Sequence, residues 1–285
     1  MGGVARFRVF RGAEGVGDVF GPTVVAFGKF DGVHVGHRAL LARAAASARR
    51  LGLPHGAVTF ERHPQAHLRG GRVPAALTSL ADRLRLLRDA GAAFVVLLPT
   101  DGSVLGMPAE DFARDVLRVR MGVRLVVVGE NFRFGRGGVG DIVTLRRLVS
   151  ATGVDGVEVG MTAVGGEAVS ATRIRTCLAR GDIPSATELL GRPYDVLGRV
   201  CTSERASATV RVSADRALPA PGCYQASFRP EKQSGGWAPT VATLHSPIAE
   251  PHHLEVAWNE DHPLALSAGR PIRLAFESRV PAPQR

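Results

Sequence analysis

The stretch TVVAFGKFDGVHVGH, residues Thr23–His37, decides the fold of the first part of the chain. It begins with a short apolar run typical of a buried strand, and it ends by opening a long helical stretch, Gly36–Gly52. Gly28, Gly32 and Gly36 lie between or at the start of these elements and let the backbone come close to a ligand. The unpaired amides at the start of a helix form a site for an anion. The stretch therefore predicts a strand–loop–helix unit with phosphate-binding chemistry.

The alternation of short apolar runs and helical stretches continues to about residue 187. Further strands are predicted at Ala57–Phe60, Phe94–Leu98, Leu125–Gly129 and Val157–Gly160. Further helices are predicted at Ser79–Ala90, Ala109–Arg120, Ile142–Ala151, Ser170–Arg180 and Pro184–Leu190. Apolar strands flanked by helices predict an α/β fold with a doubly wound, Rossmann-like parallel sheet.

The character of the chain changes after Gly191–Tyr194. Glycine, proline and serine separate short alternating segments at Ala208–Val212, Cys223–Phe228, Ala238–Leu244, Leu254–Trp258 and Ile272–Glu277. Such spacing predicts a small antiparallel β-barrel or sandwich. We also expect an exposed loop at Arg229–Trp237 and a loose tail at Val280–Arg285. Two domains follow, one over residues 1–187 and one over residues 188–285.

Composition, hydropathy and cysteine content exclude several classes of protein. Of 285 residues, 45% are hydrophobic and 22% charged, which excludes a disordered or collagen-like chain. No apolar run is long enough for a transmembrane helix, and the first ten residues do not resemble a secretory signal. Cys177, Cys201 and Cys223 are far apart and odd in number, so they fit a reducing cytoplasm and no zinc spacing.

The net charge of +10 lies almost wholly in the first domain. Residues 1–187 hold 25 basic and 16 acidic side chains, whereas residues 188–285 hold 11 and 10. Such an excess attracts polyanions. It contains no basic run with interleaved aromatic residues, which favours nucleotide phosphates over nucleic acid as the partner.

Two histidines near the start of the first long helix are the strongest candidates for chemistry. His34 and His37 are three residues apart, so they face the same way on the first helical turn. Imidazoles at this place can donate hydrogen bonds to phosphate oxygens and stabilise charge that develops on a bridging oxygen. The alternative is that one histidine caps the helix while the other packs. The glycine spacing and the strand–helix context favour the phosphate site.

Further candidates follow other predicted strands or begin other helices. Ser170 is a good N-cap, and Arg173 and Arg175 can offer planar donors to phosphates, although an ordinary capped helix explains this stretch equally well. Asn131, Phe132 and Phe134 could stack on a planar ring and bind its edge, or form a loop with packed phenylalanines. Two helix starts with phosphate chemistry predict a nucleotide cleft at the carboxyl edge of the sheet.

The segment GKFDGVHVGH, Gly28–His37, resembles the HxGH signature of the nucleotidyltransferase superfamily. In its full form it resembles the adenylyltransferase module of the bacterial bifunctional riboflavin kinase/FAD synthetase family. Three further stretches match that family in order, Val58–Pro64, Val128–Gly135 with Gly140–Asp141, and Val169–Arg175. Gly191–Tyr194 is similar to its junction between modules.

The resemblance implies an FMN adenylyltransferase that forms FAD and pyrophosphate from FMN and ATP with Mg²⁺. The implied catalytic residues are His34, His37 and Arg175. The implied nucleotide-binding residues are Gly28, Lys29, Phe30, Gly36, Ser170, Thr172 and Arg173. The implied flavin-facing residues are His63, Pro64, Asn131, Phe132, Phe134 and Asp141. No metal-ligand set is assigned, and Asp31 either caps its turn or helps to position Mg²⁺. ATP and FMN are the expected partners, without nucleic acid or membrane, and the oligomeric state stays open.

The chain departs from the family pattern in both domains. Ala171 stands where family members have Ser, Arg62 where they commonly have Pro, and Gly138 where they have Arg. After the junction, Gly198–Ala208 reads GRVCTSERASA, without the Gly-rich flap and the PTAN motif of a working riboflavin kinase. Leu254–Val256 resembles the strand that carries the catalytic glutamate of the family's kinase, here Glu255. We therefore expect a degenerate kinase-like barrel without kinase activity, because without the metal-binding threonine and asparagine Glu255 has no phosphoryl donor to act on.

Two other functions stay open. The acceptor could be a modified flavin or another phosphorylated metabolite, with ATP or CTP as the donor. The protein could also bind flavin or nucleotide as a regulator without catalysis, which Ala171 and the altered barrel favour and His34, Gly36, His37 and Arg175 oppose.

Overall fold

A computed structural model describes residues 7–64, 73–231, 236–245, 252–258 and 266–281. The chain divides into two compact units. The first consists of Met1–Pro74 and Leu80–Ala168, and the second of Ala75–Ser79 and Val169–Arg285. The loop predicted at Arg229–Trp237 and the tail predicted at Val280–Arg285 lie partly outside the described residues.

The first unit is the predicted α/β layer. Its elements in chain order are β1 (Arg8–Arg11), α1 (Val16–Phe20), β2 (Thr23–Phe27), a 3₁₀ turn (Asp31–Val33), α2 (Val35–Leu51), β3 (His55–Phe60), α3 (Leu80–Asp89), β4 (Phe94–Leu98), α4 (Gly102–Leu105), α5 (Ala109–Asp111), π-helical turns (Phe112–Arg120), β5 (Val123–Gly129), a 3₁₀ turn (Arg136–Gly138), α6 (Ile142–Arg147), α7 (Val149–Thr152), β6 (Asp155–Val159), β7 (Ala163–Val164) and β8 (Glu167–Ala168).

Six of these strands form one sheet in the order β1-β4-β3-β2-β5-β6, and every pair is parallel. The chain moves in one direction from β2 through β3 to β4 and then returns to the other side of β2 with β5. The order therefore reverses between β2 and β5, which is the place where open α/β sheets bind ligands. The prediction of a parallel, doubly wound sheet is confirmed.

Both faces of this sheet are covered by apolar side chains. All five residues of β2 are buried, because alternate side chains enter two different cores. Val25 and Phe27 pack in the core that contains Phe112, whereas Val24 and Ala26 pack in the core that contains Leu41 of α2. This double burial explains why β2 is continuously apolar instead of alternating.

The second unit is a closed barrel with two helices. Its elements are α8 (Ala171–Arg180), α9 (Ile183–Leu190), β9 (Tyr194–Ser203), β10 (Ser207–Val212), β11 (Gly222–Pro230), β12 (Ala238–Leu244), β13 (His252–Ala257) and β14 (Pro271–Val280). The barrel closes in the order β10-β13-β12-β11-β14-β9, and all its pairs are antiparallel. The barrel prediction is confirmed.

The sequence places the domain boundary after residue 187, whereas the second compact unit takes in all of the chain from Val169 onward, together with Ala75–Ser79. Helices α8 and α9 belong to this unit because they join the barrel directly. The amide of Ala220 donates to the carbonyl of Leu178 at 2.9 Å. No helix within the described ranges is long and apolar enough to cross a membrane.

Candidate active site

The loop after β2 lies at the carboxyl edge of the sheet, beside the reversal between β2 and β5. Its backbone is strained at two positions. Phe30 has φ of 53° and Val33 has φ of 40°, in the left-handed region that side chains other than glycine seldom adopt. Strain at such positions costs about 1–3 kcal/mol each and is typical of functional sites. The loop holds this shape to present the residues that follow it.

His34 and His37 lie one against the other at the start of α2. Their ring centroids are 3.6 Å apart, and the rings are inclined by 18°. The backbone amide of His37 donates to Nδ1 of His34 at 3.3 Å, so the side chain of His34 caps the helix. Because Nδ1 accepts this bond, a neutral His34 ring carries its hydrogen on Nε2. Both the same-face prediction and the capping alternative are therefore correct.

The surroundings of His37 disfavour the protonated form of its ring. Burial lowers its pKa well below the ordinary value, and the nearby His34 and then Arg83 lower it further. Nδ1 of His37 is buried and has no hydrogen-bond partner among the described residues. An anionic ligand favours the protonated form of a nearby imidazole, so a phosphate bound beside His37 would raise the pKa of this ring.

The ring of Phe30 packs against the ring of His37. The side chain of Phe30 is fully buried, and its ring centroid lies 5.1 Å from that of His37. Gly36 leaves space for the ring of His34, because a Cβ at this position would come within 3.2 Å of Nδ1 of His34. Among the implied nucleotide-binding residues of this loop, Lys29 is exposed whereas Phe30 packs in the core.

Arg83 on α3 is a residue of the site that the sequence analysis missed. Its guanidinium donates to the carbonyl of Lys29 at 3.2 Å, of Phe60 at 2.7 Å and of Glu61 at 3.2 Å. Burial lowers the pKa of Arg83, and the carboxylate of Asp31 opposes this change. Arg83 thereby links the loop after β2 to the end of β3 through hydrogen bonds.

No sequence signal distinguishes Arg83 from the other arginines of its helix. Asp31 is buried and interacts with Arg83, which adds a third role to the two that the sequence left open.

The segment after β5 carries the implied flavin-facing residues. Asn131 is exposed, and its side-chain nitrogen lies 3.6 Å from Sδ of Met161. Phe132 is half-buried and meets the ring of Phe27 at 5.3 Å between centroids. Phe134 is buried and packs 6.0 Å from Phe112. Asn131 and Phe132 therefore reach the surface, whereas Phe134 supports them from the core.

Three other implied flavin-facing residues lie at the ends of helices or strands. Asp141 caps α6, since its carboxylate accepts the amide of Thr144 at 2.8 Å, and this bond lowers its pKa. His63 and Pro64 are half-buried and follow β3 at the carboxyl edge.

The implied residues of the second motif lie in the second unit. Ser170 caps α8 by accepting the amide of Arg173 at 3.1 Å, so the predicted N-cap is confirmed. Nε of Arg175 donates to the carbonyl of Ala75 at 2.6 Å, and Thr172 is exposed.

In the described part of the chain, no group of three or more His, Cys, Asp or Glu residues is arranged to hold a metal ion.

A Rossmann-like sheet that carries the motif HVGH, His34–His37, beside its switch point fits the class of HxGH nucleotidyltransferases. Residues 18–173 match the family model described as FAD synthetase. The chain belongs to the FAD synthetase family.

Several relatives are similar over much of the chain. It is 30% identical to the bifunctional riboflavin kinase/FMN adenylyltransferase of Escherichia coli (strain K12), over 92% of this chain and 85% of that protein. It is 33% identical to the protein of the same description from Pseudomonas fluorescens, over 82% of this chain and 79% of that protein.

A putative bifunctional riboflavin kinase/FMN adenylyltransferase of Geobacillus thermodenitrificans is 35% identical, over 60% of this chain and 90% of that protein. A solved structure described as a macrolide-efflux protein from Streptococcus pneumoniae has the same fold. It gives a TM-score of 0.83 at 21% identity and covers 98% of this chain and 92% of that one.

Proposed function

We propose that the protein is an FMN adenylyltransferase that forms FAD and pyrophosphate from FMN and ATP. The observation that carries the proposal is the stacked pair of His34 and His37 at the carboxyl end of β2. The relatives described as FMN adenylyltransferases and the FAD synthetase family model support the choice of substrates.

In this reaction a phosphate oxygen of FMN attacks the α-phosphorus of ATP, and the bond to the departing pyrophosphate breaks. No covalent enzyme intermediate is needed, so catalysis consists of positioning and charge stabilisation. His34 and His37 would hold the triphosphate and stabilise the charge that develops on the leaving group. Gly28, Lys29 and Gly36 would form the surrounding wall.

The remaining role assignments rest on the family resemblance. Arg175 is proposed as a further catalytic residue, with Ser170, Thr172 and Arg173 as phosphate-binding residues. Asn131 and Phe132 are favoured as flavin contacts, because they reach the surface while Phe134 does not.

Mg²⁺ is proposed to enter with the nucleotide. This cation keeps several waters and commonly binds substrate phosphates together with one or two carboxylates. Asp31 is the carboxylate of the histidine loop, and it already interacts with Arg83. We therefore expect the cation to be held mainly by the triphosphate. The cation would neutralise part of the phosphate charge.

We also propose that the barrel has lost riboflavin kinase activity. The segment Ser213–Arg216 reads SADR, without the threonine and asparagine of the kinase motif. Glu255, at the position resembling the catalytic glutamate, lies beside His245, with 3.2 Å between Oε2 of Glu255 and Nε2 of His245. Riboflavin incubated with ATP, Mg²⁺ and the protein should yield no FMN, and FMN formation would overturn this part of the proposal.

An end-point assay tests the main proposal. FMN, ATP and Mg²⁺ are incubated with the protein, and FAD is separated by chromatography. FAD with an equal amount of pyrophosphate is expected. Pyrophosphate release only with another phosphorylated acceptor or with CTP would indicate a different transferase. Binding of FMN and ATP without product would indicate a regulator.

A further inference from the structure

An exposed methionine lies in the loop that follows β6, beside the segment proposed to contact FMN. Residues 160–162 form this loop and lead into the short hairpin of β7 and β8. The strands β5 and β6 pair in parallel up to their last residues, so the segments that follow them are close together. Met161 of the 160–162 loop thereby contacts Glu130 and Asn131, which follow β5.

The backbone of the 160–162 loop is held on two sides. The carboxylate of Glu130 accepts the amide of Met161 at 3.2 Å. Gly160 permits this approach, because a Cβ there would come within 3.2 Å of the same oxygen, Oε1. Thr162 lies against the histidine loop, with its Cβ 3.8 Å from the place that a Cβ on Gly36 would take. The side chain of Met161 is therefore presented from a positioned backbone between the histidine motif and the segment after β5.

Met161 is the most accessible methionine in the described part of the chain. It is 54% exposed, whereas Met107 is half-buried and Met121 is fully buried. A peroxide must reach the sulfur in order to oxidise a methionine to its sulfoxide. The structure therefore predicts that Met161 reacts before Met107 and Met121.

The sulfur of Met161 already contacts the side-chain amide of Asn131. Nδ2 of Asn131 lies 3.6 Å from Sδ, and a thioether sulfur is only a weak acceptor. Oxidation would place an oxygen one bond away from this sulfur. Because the oxygen of a sulfoxide is a polar acceptor, it would bind the amide more strongly than the sulfur does. The amide of Asn131 would then be held against the 160–162 loop.

We propose that Met161 is a site of reversible oxidation by hydrogen peroxide, and that its sulfoxide weakens the use of FMN by binding the amide of Asn131. In this step an S–O bond forms and the O–O bond of the peroxide breaks. The sulfur loses two electrons, and the peroxide is reduced to water. Methionine sulfoxide reductases reverse the change. The effect on FMN rests on the proposed function, in which Asn131 is a flavin contact, whereas the oxidation and the new hydrogen bond do not.

NMR follows the oxidation and the new hydrogen bond without any substrate. The chain contains four methionines and two asparagines, Asn131 and Asn259. With labelled methionine methyl groups and asparagine side-chain amides, Met161 is identified by the signal lost in Met161→Leu, and Asn131 by the signal lost in Asn131→Ser. Hydrogen peroxide should oxidise Met161 first and shift the amide signal of Asn131 at the same rate. Met107 should react later.

Kinetics connect the oxidation to FMN. The oxidised protein is first treated with dithiothreitol, which reverses disulfides and sulfenic acids of Cys177, Cys201 and Cys223 and leaves methionine sulfoxide in place. The value of kcat/KM for FMN should then be about three- to tenfold lower than before oxidation, which is the effect of one neutral hydrogen bond. Methionine sulfoxide reductases of both stereospecificities should restore it.

Matched variants show whether Met161 and Asn131 carry this loss, each variant being compared with its own untreated sample. Met107→Leu should lose as much kcat/KM as the wild type, whereas Met161→Leu should lose none. Asn131→Ser should also lose none, because the sulfoxide then has no amide to bind, and two residues that act on each other have non-additive effects.

Equal oxidation rates of Met107 and Met161 would overturn the proposal, and so would an unshifted Asn131 amide in the oxidised protein. Both results are obtained without substrate, so they decide the proposal even if the protein makes no FAD. Equal losses of kcat/KM in the wild type and Met161→Leu would overturn the effect on FMN. A failure of the proposed function would appear differently, as the absence of FAD from the untreated protein.

Discussion

The imidazole of His34 covers the α-carbon of Gly36, so that a methyl group on Gly36 would come within 3.2 Å of Nδ1 and 3.3 Å of Cε1. The glycine therefore leaves room for the ring of His34, which we propose to act in catalysis. The small residue in the HVGH motif, Gly36, is thus explained by the position of the His34 ring.

Gly36→Ala should displace His34 by a few tenths of an ångström and lower kcat for FAD formation about tenfold, because small misplacements of reacting groups are costly. The unfolding free energy should change by less than about 1 kcal/mol, since alanine favours the helix that the methyl group crowds. Gly102→Ala is a matched control, as a Cβ there meets nothing within 4 Å. Full activity in Gly36→Ala would show that the ring position does not matter.

His34 caps α2, and we propose that it also acts on the substrate; substitutions can separate these two roles. Asparagine is a good N-cap, so His34→Asn should keep the unfolding free energy close to that of the wild type. His34→Ala should lose about 1 kcal/mol with the cap. Both variants should lose activity to a similar extent, because neither retains the imidazole. Chemical denaturation and steady-state kinetics on the same preparations measure the two effects. Wild-type activity in His34→Asn would show that His34 only caps the helix and does not act in catalysis.

The lowered pKa of His37 predicts how stability depends on pH. The unfolded chain protonates His37 near pH 6.5, whereas the folded chain does so only at lower pH. The unfolded state therefore binds more protons as the pH falls below about 6.5, and stability decreases by up to about 1.4 kcal/mol per pH unit. His55, whose pKa is lowered by burial and by Arg49, adds to this decrease.

Denaturation between pH 5 and 7 measures this effect in a range where carboxylates contribute little. His37→Gln should reduce the slope relative to the wild type measured in parallel. An equal slope in His37→Gln and the wild type would contradict the assignment.

Arg83 is predicted to act on the reaction through the backbone and through His37. Arg83→Met removes donors to three carbonyls, and hydrogen bonds to charged groups contribute about 1.5–3 kcal/mol each. It should lower kcat and move the pKa of His37, followed by NMR, part of the way up to its ordinary value. The rise should be incomplete because burial is the largest cause of the shift. Arg83→Lys should recover much of both properties, and an unmoved pKa in Arg83→Met would exclude the electrostatic role.

The sequence predicted the α/β sheet and the barrel because each has a strong local pattern. β4 was predicted with its observed bounds, since five consecutive apolar residues are flanked by turn signals. β1 was missed because only one of its four residues, Phe10, is partly buried and the other three are exposed. The helix predicted at Ile142–Ala151 is divided into α6 and α7, and the one at Ala109–Arg120 contains π-helical turns. Such departures depend on packing that periodicity does not show.

The candidate site could be predicted only where its residues lie close together in the sequence. His34 and His37 are three residues apart, so spacing alone predicts that they face the same way, and the structure adds that their rings stack. Arg83 reaches the same loop from a position 54 residues beyond Lys29, and only the fold brings the two together. The burial of Phe134 likewise follows from its packing against Phe112, which the sequence left open.

The rate of FAD formation by His37→Ala is the most direct test of the central claim that the histidine pair acts on the triphosphate. With FMN, ATP and Mg²⁺ saturating, kcat should fall by about 10² or more. Arg50→Ala, an exposed change at the far end of the same helix, should retain wild-type kcat. Near-normal turnover by a folded His37→Ala protein would contradict the account.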